Sequence, residues 1–143
     1  MSTNMIVMGL ILACGGAHQV SDSTRRFRVA VPELAGSGPV LLVLHDVTVP
    51  SNRPVTLRAY AVAPDSSRIF LGSSGLPGVS PDAKGPITRP MLRISVTAGL
   101  RRWAEAARGA QEADIEISPD VASDTASSHL PWSLRSVELI QVR

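Results

Sequence analysis

The chain is 143 residues long, 44% apolar and 18% charged, with a formal charge of +2 and only five aromatic residues. That length and apolar share suit one domain around one core and argue against a second domain. Lys84 is the only lysine among fourteen basic residues, and no basic patch is interleaved with aromatics as a nucleic-acid stacking platform requires, so nucleic acid is excluded as a partner.

Met5-Ile6-Val7-Met8-Gly9-Leu10-Ile11-Leu12-Ala13 is a short apolar run closed by Cys14, the only cysteine, and followed by Gly15-Gly16. A single cysteine forms no intrachain disulfide, so the fold must hold by packing. Ile11-Leu12-Ala13-Cys14 resembles the lipobox of bacterial lipoproteins, which implies lipidation at Cys14 and a tether up to Arg26. Met1-Ser2-Thr3-Asn4 lacks the positive charge of a signal n-region, and the run is too short to span a membrane. The other reading is a strand with Cys14 as a small buried hydrophobe. The first puts the chain in the bacterial cell envelope, with membrane contact only through the lipid; the second leaves it cytoplasmic.

Phe27 to Val31 reads as a short strand, and Gly36-Ser37-Gly38-Pro39 as a turn-rich break. The break divides a segment 1–39 (signal, tether or strand, plus the short strand) from a main domain 40–143. Val40 to Val49 is apolar on both faces at its start, which predicts a central strand. Pro50-Ser51-Asn52-Arg53-Pro54 predicts a turn. Val55 to Val62 places Val55, Leu57, Ala59 and Ala61 on one face and Thr56, Arg58 and Tyr60 on the other, a half-buried strand expected to run antiparallel to the preceding one. Arg68 to Leu71 reads as a short third strand. Gly72 to Pro90 holds four glycines and four prolines and reads as a long loop, a type that is usually functional or disordered.

Met91 to Val96 predicts another strand, with Thr97 expected to cap a helix through its hydroxyl. Leu100, Trp103, Ala104 and Ala107 share one helical face while Arg101, Arg102, Glu105 and Arg108 face outward, and Gly109 is placed to end the helix. Ala113 to Ser118 and Ser133 to Val142 are the last strands. The order predicts an all-β fold, a mainly antiparallel, jelly-roll-like β-sandwich with one short amphipathic helix.

Several of these segments carry a family resemblance: Val40 to Val47, Val55 to Ala61, Phe70-Leu71-Gly72-Ser73, Leu92 to Thr97 running into a helix, Asp114 to Pro119, and Val137-Glu138-Leu139. In pattern and order they are similar to the C-terminal β-sandwich domain of polyphenol oxidases and tyrosinase-like proteins. The family's Lys-Phe-Asp-Val signature stands here as Thr56-Leu57-Arg58-Ala59, which keeps the alternation and loses the charges. The resemblance implies a domain that packs over a dicopper catalytic domain, shields its entrance and carries no copper ligands itself. A coupled dicopper site needs two sets of three histidines, whereas this sequence has His18, His45 and His129.

No constellation in the sequence supports chemistry. His45 beside Asp46 reads as a packed or edge residue, and the three histidines lack ligand spacing, so no metal or cofactor is expected. Gly72-Ser73-Ser74-Gly75-Leu76 lacks the second glycine of a nucleophile elbow. Gly36-Ser37-Gly38 opens a strand, not a helix, and does not cradle phosphate. Trp103 reads as the core anchor of the helix. Trp132, beside Pro131, is a candidate interface anchor, and Leu76 and Val79 in the Gly/Pro loop are the other candidate partner-binding residues. The outer arginines Arg101, Arg102 and Arg108 offer a face to an acidic partner, although such a face is more often merely solvated.

The expectation is therefore a non-enzymatic accessory or shielding subunit for a separately encoded tyrosinase-like oxidase. The competing expectation is a cell-envelope lipoprotein whose sandwich binds a small molecule or carbohydrate.

Overall fold

The computed structural model describes residues 24–34, 38–121 and 131–142; the readings placed on Cys14, His18 and His129 lie outside them. Seven strands and one helix follow in order: β1 Arg25–Ala30, β2 Val40–Pro50, β3 Val55–Val62, β4 Arg68–Leu76, β5 Pro86–Ser95, α1 Thr97–Ala107, β6 Glu112–Val121 and β7 Ser136–Gln141. They form two antiparallel sheets, ordered β1-β6-β3-β4 and β5-β2-β7. The all-β sandwich expected from the sequence is the fold observed.

Alternation explains the core. Val55, Leu57, Ala59 and Ala61 of β3 and Ala113, Ile115 and Ile117 of β6 turn inward, and they meet Val40, Leu42, Leu44, Val47 and Val49 of β2 in one apolar cluster. β2 is the middle strand of its sheet, as its nearly continuous apolar sequence demands. β1 is hydrogen-bonded along β6, from Arg25 opposite Ile117 to Ala30 opposite Glu112.

Three expectations need correcting. β3 does not pair with β2: it lies between β4 and β6 in the other sheet, because the turn through residues 51–54 crosses the sandwich instead of closing a hairpin. β4 continues past Leu71 to Leu76, paired with β3 down to Val55, so the Gly/Pro-rich connection shrinks to residues 77–85. Pro86 and Pro90 belong to β5, an edge strand of its sheet, where a missing N–H is tolerated. Opposite Pro90 the ladder is interrupted between His45↔Met91 and Val47↔Arg89. There Asp46 takes φ 56° and its carboxylate accepts a bond from Arg135 Nε at 2.5 Å.

The helix closes one end of the sandwich. Leu100 and Trp103 are buried while Arg101, Arg102, Glu105 and Arg108 stay exposed, as the spacing predicts. The indole Nε1–H of Trp103 donates to the Val62 carbonyl at 3.0 Å, tying α1 to the end of β3. Thr97 is not the cap: Val96 holds that position and no side chain bonds the helix start. The Thr97 hydroxyl instead accepts the N–H of Val40 at 2.9 Å, fixing the start of β2 to the strand-to-helix junction. Gly109, at φ 78°, follows the last turn, the left-handed position where glycine ends helices without strain.

Gly99 lets the helix lie against β4. A Cβ there would stand 2.6 Å from the Phe70 carbonyl oxygen and 2.8 Å from Leu71 Cα. Alanine gains about 1 kcal/mol of helix propensity over glycine, but backbone contacts this short are not relieved by a rotamer change, and overpacking costs about 1–3 kcal/mol. Urea denaturation is expected to find Gly99→Ala less stable than the parent, with crowding outweighing propensity. A higher urea midpoint would show that α1 slides freely on β4.

The two outward sheet faces differ. On the four-stranded sheet, Glu116 is buried at 7% exposure between Arg26 and Arg68, which both pair with it. Arg68 lies over the Tyr60 ring at 4.0 Å, and Tyr60 meets Phe70 edge to face with centroids 5.6 Å apart. Arg28 pairs with Asp114 and Glu112, and Arg58 with Asp120. The Asp114 carboxylate, bonded to Arg28, raises the arginine's pKa above its ordinary value. Among the described residues of this face four arginines thus meet four carboxylates. The three-stranded sheet instead exposes Met91 and Ile140 around His45 and Glu138.

Candidate functional site

The end of the sandwich opposite the helix is built from residues 50–54, the connection 77–85 and the segment 131–135. Ser51, 6% exposed, clamps the first two together. Its Oγ–H donates to the Gly85 carbonyl at 2.8 Å, and its own carbonyl accepts the N–H of Val79 at 2.7 Å. Gly78 lies so close to the backbone of Arg53 that a Cβ would stand 2.9 Å from its N and C atoms. The Gly/Pro connection is therefore a braced loop, and it holds Val79 outward at 66% exposure.

The third segment is fixed as firmly. Ser133 and Thr48 exchange backbone bonds at 2.9 and 3.0 Å. Arg25 lies 5.1 Å from the centre of the Trp132 ring and donates through Nη2 to the Trp132 carbonyl at 3.1 Å.

These placements sort the partner-binding candidates. Val79 is exposed as expected. Leu76 is 4% exposed and Trp132 5%, and both belong to the apolar core, so these two candidates are corrected: their side chains hold the fold and are not on the surface where a partner would meet them. Leu76 is inward because β4 runs further than its glycines and serines suggest; Trp132 is inward because the Thr48–Ser133 bridge folds its segment back onto the core. The structure brings the three to the same end of the fold without joining them in one exposed patch.

Between the first two segments and Pro131 lies an open cleft of about 460 Å³, lined by Pro50, Asn52, Arg53, Ala83, Lys84, Gly85, Pro86 and Pro131. Its described wall is mainly apolar, and the charged members among the described residues are both cationic. Neither Arg53 nor Lys84 pairs with a carboxylate among the described residues. The Arg53 Nε atom is buried without an acceptor, an arrangement that costs free energy and is rare in folded proteins. The sequence reading missed this cleft. Asn52, Arg53 and Lys84 are 32 residues apart at most in sequence and carry no shared motif; only the two neighbouring Pro/Gly clusters signal that their loops could converge.

The one histidine among the described residues, His45, lies on the outward face of the three-stranded sheet. His45 Nε2 is 2.7 Å from Glu138 Oε2, and Ser136 stands opposite His45 across the β2–β7 ladder. Ser73 and Ser74 lie within β4, not on the strand-to-helix turn that a nucleophile elbow needs. Among the described residues no group of three or more His, Cys, Asp or Glu is placed to hold a metal ion. No helix among them is long and apolar enough to cross a membrane.

No protein-family model matches the chain, and no curated protein matches it in sequence. Among solved structures it is similar to latent aurone synthase, a polyphenol oxidase, from natural source. The TM-score is 0.59 at 11% identity over 85% of this chain and 25% of that one. The recombinantly expressed latent aurone synthase gives a TM-score of 0.58 at 12% identity over the same shares. The chain thus spans about a quarter of the length of those oxidases and shares the fold of a part of them.

Proposed function

We propose that this chain is a non-catalytic accessory module that binds and shields a separately encoded tyrosinase-like dicopper oxidase, with Val79 as a contact residue. The observation that carries the reading is the likeness, over 85% of the chain, to a portion of a latent polyphenol oxidase. The braced loop adds physical support. A loop already fixed by Ser51 and Gly78 loses little conformational entropy on docking, so an exposed apolar side chain at its tip contributes more of its burial to affinity.

The test is a titration of the purified chain into a tyrosinase-like dicopper oxidase stripped of its own C-terminal domain. Expected results are saturable inhibition of phenol oxidation and about tenfold weaker inhibition by Val79→Asp, the scale of one hot-spot contact. Phenol oxidation by the isolated chain, or no effect on the oxidase at roughly micromolar concentration, sinks the reading.

A further inference from the structure

We infer that the cleft between the 50–54 turn and the 83–86 segment binds a small organic carboxylate carried on a compact, planar apolar body. Three features of the wall converge on that chemistry. Pro50, Pro86 and Pro131 are flat, rigid apolar surfaces, and with Ala83 and Gly85 they make most of the lining. Arg53 and Lys84 supply two positive charges and Asn52 an amide, with no carboxylate among the described residues of the wall. Neither cation is held by a carboxylate among the described residues, so both charges face an incoming anion without an internal competitor.

Charge and shape together narrow the ligand. A neutral apolar molecule would leave the charges of Arg53 and Lys84 without a counter-charge. A small inorganic anion would pair with them but leave the proline surfaces in water. An aromatic carboxylate does both, with its oxygens accepting from the Arg53 guanidinium and the Lys84 ammonium, pairs that are stronger than neutral hydrogen bonds. The cleft, at about 460 Å³, lies within the range of roughly 300–1,000 Å³ typical of small-molecule sites. Its backbone is preset, because Ser51 bonds Gly85 at one side and Gly78 packs on Arg53 at the other. This binding does not depend on the oxidase partnership, and the chain alone suffices to test it.

The experiment is a benzoate titration of the full chain labelled with ¹⁵N, in which the Arg53 Nε–H resonance is read directly. The expected result is a saturable shift of that resonance and of the Gly85 amide. Benzamide, isosteric but uncharged, should leave both unmoved, and sulfate should bind at least tenfold more weakly than benzoate. Lys84→Gln, an exposed substitution away from the core, should weaken benzoate about tenfold, the scale of one charge-assisted bond. Arg53→Gln, checked for a native spectrum, should abolish saturation. A linear, unsaturated response to benzoate, equal shifts with benzamide, or unchanged affinity in both variants would overturn the inference. So would binding of a peptide's terminal carboxylate but not of benzoate.

Discussion

Trp103→Ala is expected to lose about 3–5 kcal/mol of unfolding free energy, the range for deleting a fully buried tryptophan. Trp103 is 2% exposed and links α1 to the ends of β3 and the core. Truncation removes the apolar contact and also the bond from Nε1–H to the Val62 carbonyl. A domain of this size has total stability of about 5–15 kcal/mol, so the loss takes a large share of it. Trp103→Phe separates the two contributions. It retains an aromatic ring and deletes the donor, and a loss of about 1–2 kcal/mol is expected from the hydrogen bond with some residual packing defect. Urea unfolding of both variants followed by far-ultraviolet circular dichroism checks the order. Equal losses would assign nearly all of the effect to the hydrogen bond, and a negligible loss in the alanine variant would show that α1 does not anchor the sandwich.

The helix and the inner faces were legible because each is written in a local period. Leu100, Trp103, Ala104 and Ala107 recur at helical spacing, and Val55, Leu57, Ala59 and Ala61 at strand spacing, so their faces follow without knowing the neighbours. Strand partners are not local. The turn at residues 51–54 has the residues of a hairpin, yet Val55 pairs with Leu76 and Val121, because β3 buries its inner face best against β2 from across the sandwich. Thr97 shows the same limit at the scale of one hydroxyl. Its position suits a cap, but the N–H of Val40, 57 residues away in sequence, takes the oxygen.

The candidate site was legible only in outline. The Pro/Gly-rich stretch marked a connection that lines the cleft, and Val79, read as exposed, is exposed. Asn52, Arg53 and Lys84 became a site only when Ser51 joined their loops through the Gly85 carbonyl, a contact with no periodic signature. The outward ion pairs were closer to readable. Arg26 and Arg28 alternate on β1 as Glu112, Asp114 and Glu116 do on β6, and antiparallel pairing sets one series opposite the other.

Leu76 and Val79 give the sharpest contrast between an apolar residue that holds the fold and one that does not. Leu76 ends β4 opposite Val55 and is 4% exposed within the core. Leu76→Ala should therefore cost about 2–5 kcal/mol, the lost transfer free energy plus the cavity left where both sheets are already fixed. Val79 is 66% exposed and contributes to the loop through its backbone N–H, which alanine retains. Val79→Ala should stay within about 0.5 kcal/mol of the parent. Thermal and urea unfolding of the pair decide between a core that reaches the end of β4 and one that stops at Leu71. A small loss for Leu76→Ala would restore the shorter strand and the long loop expected from the glycines. A large loss for Val79→Ala would mean that its side chain packs on the fold, removing it as a contact residue for a partner.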